Sequence, residues 1–304
     1  MPFLGQDELG EGWLMRRNVM MRLCMMIAGG MIFLLFRSMF QPRSDIRPMV
    51  VTQAITAAPT ATVLLQTQNV PTNAIGVSTM TAEEHYSRGN DFYSKGQYDL
   101  AIEEYTDAIH LDPQNAPTYN NRGLNYFLEG KYDLAIADFD EAIRLQNEYV
   151  DAYIHRGVTY YFKGEYDLAI ADYTEAIRFN PQYILSYTNR GNSYYAKKQY
   201  DLAIADYTEA IRLNPQYFDA YNSRGLSYTS KGEYELAIAD FTEAIRLAPQ
   251  YAEAYTNRGF AYANNREFDL AIADYDAALL IDPNHTRARS NRQLTLDAIE
   301  KQED

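Results

Sequence analysis

Cysteine occurs once in the 304 residues, at Cys24, which excludes an internal disulfide framework and any cysteine-rich metal site. Histidine is almost as scarce. The four, His85, His110, His155 and His285, show no metal-ligand spacing, so neither a metal nor another cofactor is expected. No constellation of nucleophile and base appears, and with it go catalysis and a small-molecule substrate. Basic residues are in deficit, 27 Lys and Arg against 41 Asp and Glu, for a net charge of −14. Residues 1–81 hold six Arg and four acids, so the remainder carries about −16, which argues against a nucleic-acid partner. Tyrosine is missing from residues 1–81, and all 27 lie beyond them. Without that aromatic surface the first part has little with which to build a core.

The polar residues 1–18 predict no fold. Residues 19–36 then read VMMRLCMMIAGGMIFLLF, interrupted only by Arg22. A helix of that length rises about 27 Å, close to the roughly 30 Å hydrocarbon core of a bilayer, and Arg22 sits near one end where it can snorkel. Residues 19–40 are therefore expected to form a single-pass transmembrane anchor, retained because Arg37 to Arg43 offers no small-residue cleavage site. A start codon chosen too far upstream of a soluble protein is the alternative. Arg16, Arg17 and Arg22 on one side balance Arg37, Arg43 and Arg47 on the other, which leaves the orientation open. Residues 41–81 are rich in Thr, Ala and Pro, carry no charge from 48 onward, and read as a flexible linker.

Beyond the linker the chain repeats itself. Arg-Gly recurs at Gly89, Gly123, Gly157, Gly191, Gly225 and Gly259, always 34 residues apart, so six equal units fill residues 82–285. Within the second unit Tyr119, Tyr126 and Phe127 recur at helical spacing, Gly130 breaks the run, and Leu134, Ala135, Phe139, Ala142 and Ile143 resume it. The pattern predicts a helix, a turn and a second helix, with Phe139 filling the space beside Ala135 and Ala142. Gly96, Gly130, Gly164 and Gly232 should end the first helix, with Lys198 and Arg266 as variants. Pro113, Pro181, Pro215, Pro249 and Pro283 should end the second, with Asn147 standing in that place in the second unit. A fixed period of this length implies an all-α stacked array, not a closed catalytic domain. Gly157-Val-Thr-Tyr-Tyr-Phe-Lys-Gly164 is for the same reason a helix hairpin and no phosphate loop, since no strand precedes it.

Gly89, Phe92, Ala101, Tyr105, Ala108 and Pro113, with their copies every 34 residues, resemble the tetratricopeptide repeat over about two thirds of the chain. The sequence departs from that family where Tyr119, Tyr153, Tyr187, Tyr221 and Tyr255 replace the usual Trp, and where Arg recurs in place of an apolar residue. The resemblance implies a right-handed α-solenoid closed by a capping helix in residues 286–304. It also implies a concave groove, lined by the first helices, that binds a peptide or partner protein. Copied residue by residue, that groove takes in Asn90, Asn121, His155, Asn189 and Asn192, with an aromatic row at Tyr93, Phe127, Tyr161 and Tyr195. One subclass of the family grips the carboxylates of a chaperone tail, but here Tyr86, Asp151 and His155 occupy its cationic places, and Asp151, Asp219 and Glu253 would repel an acidic tail. The expectation is thus a membrane-tethered scaffold with no chemistry of its own; a regulatory or assembly subunit of an enzyme complex is the alternative.

The recurrent Arg leaves two readings open. Arg122, Arg156, Arg190, Arg224 and Arg258 either pair with Asp138, Asp172, Asp206, Asp240 and Asp274 along a partly desolvated seam, or lie on the surface with their stems over apolar area.

Overall fold

The computed structural model describes residues 80–303. The expected anchor at 19–40 and all but the last two residues of the expected linker at 41–81 lie outside them. Among the described residues no helix is long and apolar enough to cross a membrane.

Thirteen helices follow one another, with no strand among the described residues. The first helices of the six units are α1 (Ala82–Ser94), α3 (Ala116–Leu128), α5 (Val150–Lys163), α7 (Ile184–Ala196), α9 (Phe218–Lys231) and α11 (Ala252–Asn264). The second helices are α2 (Tyr98–Leu111), α4 (Tyr132–Leu145), α6 (Tyr166–Phe179), α8 (Tyr200–Leu213), α10 (Tyr234–Leu247) and α12 (Phe268–Ile281). Helix α13 (Thr286–Glu303) closes the array. At the start of α1, Thr81 and Glu84 form a reciprocal capping box, which satisfies two of the backbone donors that a helix start leaves open.

The six hairpin turns share one left-handed residue. It is glycine at Gly96, Gly130, Gly164 and Gly232, with φ from 71 to 81°, and Lys198 and Arg266 adopt the same region at φ 59 and 64°. The variants noted in the sequence therefore change the residue without changing the turn. Proline is likewise not what stops the second helix. With Asn147 in place of proline, α4 ends at Leu145, and the Gln146 N–H returns to the Ala142 carbonyl at 2.9 Å as its counterparts do in the other units.

Inside each hairpin the Arg-Gly column meets the aromatic residue 16 positions on. A Cβ at Gly89, Gly123, Gly157, Gly191, Gly225 or Gly259 would lie 2.5 to 2.9 Å from a ring carbon of Tyr105, Phe139, Tyr173, Tyr207, Phe241 or Tyr275. These rings are at most 1% exposed, and Ala135 and Ala142 are fully buried beside Phe139, as the spacing predicts. A buried phenol is best satisfied by an acceptor, and at two of the four tyrosines of this column an amide supplies it. Tyr105 donates to Asn90 Oδ1 and Tyr207 to Asn192 Oδ1, both at 2.7 Å, whereas Phe139 and Phe241 face units that carry Leu124 and Leu226 at the same register.

The seam arginines take the first of the two readings. Arg122, Arg156, Arg190, Arg224 and Arg258 each donate from Nε and Nη2 to both oxygens of their Asp at 2.6 to 2.9 Å. The Asp side chains are 6 to 8% exposed and the Arg side chains 17 to 19%. Burial raises the Asp206 carboxyl while the Arg190 bonds oppose it, and those same bonds raise Arg190. A guanidinium has only donors, so the two-pronged contact requires an ionised carboxylate. Each Arg then reaches back with Nη1 to the preceding unit, to Thr106, Asp140, Thr174, Thr208 or Thr242 at 2.5 to 3.1 Å. One side chain therefore ties three helices together. At the ends the pattern loosens. Arg88 pairs with Glu104 while half exposed, and Arg292 of α13 holds only Asp276.

Candidate partner-binding site

Neighbouring first helices approach one another directly, α3 with α5, α5 with α7, α7 with α9 and α9 with α11, and the second helices do not do so to the same extent. The first helices thus form an inner row, and α11 continues it against α13. Along the row, residue pairs 35 positions apart link one unit to the next. Asn121 Nδ2 donates to the Tyr86 hydroxyl at 3.1 Å, His155 Nδ1 meets Asn120 Oδ1 at 2.8 Å, and Asn257 Nδ2 donates to Asn222 Oδ1 at 2.9 Å. Burial pushes the His155 imidazole down to about 4, so it is neutral near pH 7 and its Nδ1–H donates to the Asn120 amide oxygen.

The residues expected to line a groove divide into two sets. Half-buried are Asn90, Tyr93, Asn121, Asn189 and Tyr195. Asn121 donates to Asn90 Oδ1 at 3.1 Å, Tyr93 stands 6.1 Å from the Tyr98 ring, and the Tyr195 hydroxyl meets Ser230 Oγ at 3.1 Å. Enclosed are Phe127, Tyr161, His155 and Asn192, at 1, 6, 8 and 9% exposure. Phe127 packs edge-on against Phe162 at 5.3 Å, and Tyr161 lies 5.3 Å from Tyr166, so these two rings are core and their placement on a groove surface is corrected. Asn192 is corrected as well, because its amide oxygen is engaged by the buried Tyr207 phenol. Asn120 and Asn222 join the inner row as well, although the family resemblance did not mark them. Their signal was an Asn or His exactly one unit and one residue further along, the spacing that brings adjacent first helices into contact. No group of His, Cys, Asp and Glu able to hold a metal occurs among the described residues.

Profiles described as TPR repeat and tetratricopeptide repeat match residues 89–129, 123–163, 191–229 and 225–265, and residues 150–183 and 252–285. These spans take in more than half of the chain. It belongs to the tetratricopeptide repeat family. No curated protein matches it significantly. Among solved structures it is similar to YrrB, described as a TPR protein with an unusual peptide-binding site, at 24% identity and a TM-score of 0.53, over 63% of this chain and 99% of that one. A MamA protein matches at 28% identity and a TM-score of 0.52, over 57% and 94%. The C-terminal part of a TPR protein from Cytophaga hutchinsonii matches at 21% and 0.59, over 69% and 87%. As a tetratricopeptide repeat array the chain is a protein-interaction scaffold, a fold that is typically non-catalytic.

Proposed function

We propose that this protein is a membrane-tethered adaptor that holds an extended segment of a partner protein against the inner row of units one to four. The observation that carries this reading is the change of side chain along that row. Half-buried Tyr93, Asn121, Asn189 and Tyr195 present amide and phenol groups there, whereas the core columns of small and aromatic residues repeat almost without variation. Amides and phenols suit an extended backbone, since each offers both donor and acceptor. Residues 19–40 would supply the tether.

The test is site-specific photocrosslinking in the full chain. A photoreactive residue at Asn189 should trap a partner protein, and the same residue at exposed Thr242 of α10 should not. Trapping at Thr242 alone, or at neither position, overturns the inner row as the binding face. The tether is tested separately by fractionation. Full-length protein should stay with membranes at high salt, and release by salt alone removes the anchor.

A further inference from the structure

The last seam of the array holds a cation that an earlier seam lacks. Arg287, in the first turn of α13, donates from Nη2 to Glu253 Oε2 and to Asn257 Oδ1, each at 2.6 Å. Asn257 in turn is bound to Asn222. Glu253, Asn257 and Asn222 are thus a guanidinium receptor, and the chain fills it itself. Three units earlier the same places hold Asp151, His155 and Asn120. His155 repeats the bond of Asn257, with Nδ1–H on the Asn120 oxygen, and its Nε2 is left as the acceptor that Asn257 Oδ1 is toward Arg287. Asp151 supplies the carboxylate. Where Arg287 stands at the last seam, however, this one has Leu185.

Asp151 is exposed and has no ion pair or hydrogen-bond donor among the described residues. Burial pushes the Tyr149 phenol up to about 12 and raises Tyr183, and the Asp151 charge raises both further.

We propose that Asp151 and His155 bind the guanidinium of an arginine on the partner's extended segment. This rests on the inner row being the partner-binding face and adds the chemistry of the partner. An arginine is assigned on the precedent of Arg287, whose guanidinium fills the corresponding place at the last seam. The excess of acid over base in the repeats draws a basic segment toward the row.

The probes are three labelled pools of nine-residue peptides, degenerate except for a fixed central Arg, Leu or Glu, titrated into the full chain in detergent and read by fluorescence anisotropy. The Arg pool should bind at least about tenfold more tightly than the Glu pool, a difference of about 1.4 kcal/mol. Asp151→Asn should abolish that preference. Leu185→Arg should block the Arg pool by supplying in cis what Arg287 supplies at the last seam, with helicity and melting temperature retained. Arg-pool binding that survives both substitutions overturns the site. Equal binding of the Leu and Arg pools, unchanged in Asp151→Asn, removes the arginine while leaving the inner row as the binding face. Failure of every pool to bind overturns the arginine assignment, and if Asn189 also traps no partner the inner-row reading falls with it.

Discussion

Two columns run along the array and behave in opposite ways. At the seam the same Arg and Asp recur in five consecutive units with bond lengths confined to 2.6 to 2.9 Å. On the inner row one register reads Asn121, His155, Asn189, Ser223 and Asn257. The seam ties each hairpin to the one before it, so a change there leaves a buried charge unpaired within its own hairpin and loosens the contact to the preceding one. The inner row borders solvent on one side, and among the described residues only Asn121, His155 and Asn257 of that register bond to the preceding unit, while Asn189 and Ser223 do not. Uniformity among copies therefore marks what stacks the units, and variation marks the surface left for a partner.

The largest effect should come from breaking the seam. Arg190→Met retains most of the stem but leaves Asp206 buried without its counter-charge, and should cost about 3 to 5 kcal/mol in denaturant unfolding. Asp206→Asn should cost less once Arg190 has been replaced, and a double-mutant cycle gives the coupling. The surface pair Arg144 and Glu141, which also shows bonds of 2.6 to 2.8 Å, should give no measurable coupling, because water competes for both groups. Equal couplings for the two pairs would erase the distinction between seam and surface.

On the inner row the corresponding test is pH. His155 titrates at about 4 in the fold against an ordinary value of 6.5. Above pH 6.5 both folded and unfolded chains carry it neutral, and it contributes no pH dependence. As pH falls below 6.5 the unfolded chain takes up a proton that the folded one cannot, so stability declines, by roughly 2 kcal/mol at pH 5 and levelling off near 3 kcal/mol below pH 4. His155→Asn copies the residue found at Asn121, Asn189 and Asn257 and should remove that component. Comparing the variant with the parent at pH 7 and pH 5 cancels the carboxylates they share. An identical loss in both proteins would mean that His155 is not held neutral by its burial.

Much of this was legible in the sequence, and the reason is the period. A 34-residue copy rule fixes which residues share a column, and helical phase then brought Arg122 toward Asp138. The rule does not give the radial direction of a column. Tyr93, Phe127, Tyr161 and Tyr195 are copies of one another, yet two are half-buried and two enclosed, because Phe162 closes over Phe127 and packs against Tyr161 while no aromatic copy of Phe162 exists at Ala196. The roles of Asn90 and Asn192 were recoverable. Asn stands 15 residues before Tyr105 and Tyr207, and Leu stands there where the aromatic is Phe139 or Phe241, but Val158 and Phe260 precede Tyr173 and Tyr275, so the correspondence holds in four units of six.

The hairpin turns sharpen the comparison with the smallest effect. They vary too, four glycines against Lys198 and Arg266, but here the variation is not neutral, since the φ of about 60° crowds a Cβ against its own backbone. That conformation costs a non-glycine residue roughly 1 to 2 kcal/mol. Glycine avoids the crowding but gives up roughly 0.5 to 1 kcal/mol of unfolded-state entropy. Arg266→Gly should therefore stabilise the array by about 0.5 to 1 kcal/mol, and Gly232→Lys should destabilise it by a similar amount. Neither should alter peptide-pool binding, because both turns lie at the ends of the first helices, away from the Asp151 seam. A shift in unfolding midpoint with unchanged binding would show that variation between copies signals a partner only where the fold absorbs it without strain. A change in binding with no shift in midpoint would place the turns on the recognition surface, and the contrast between seam and inner row would then have to include the hairpin ends.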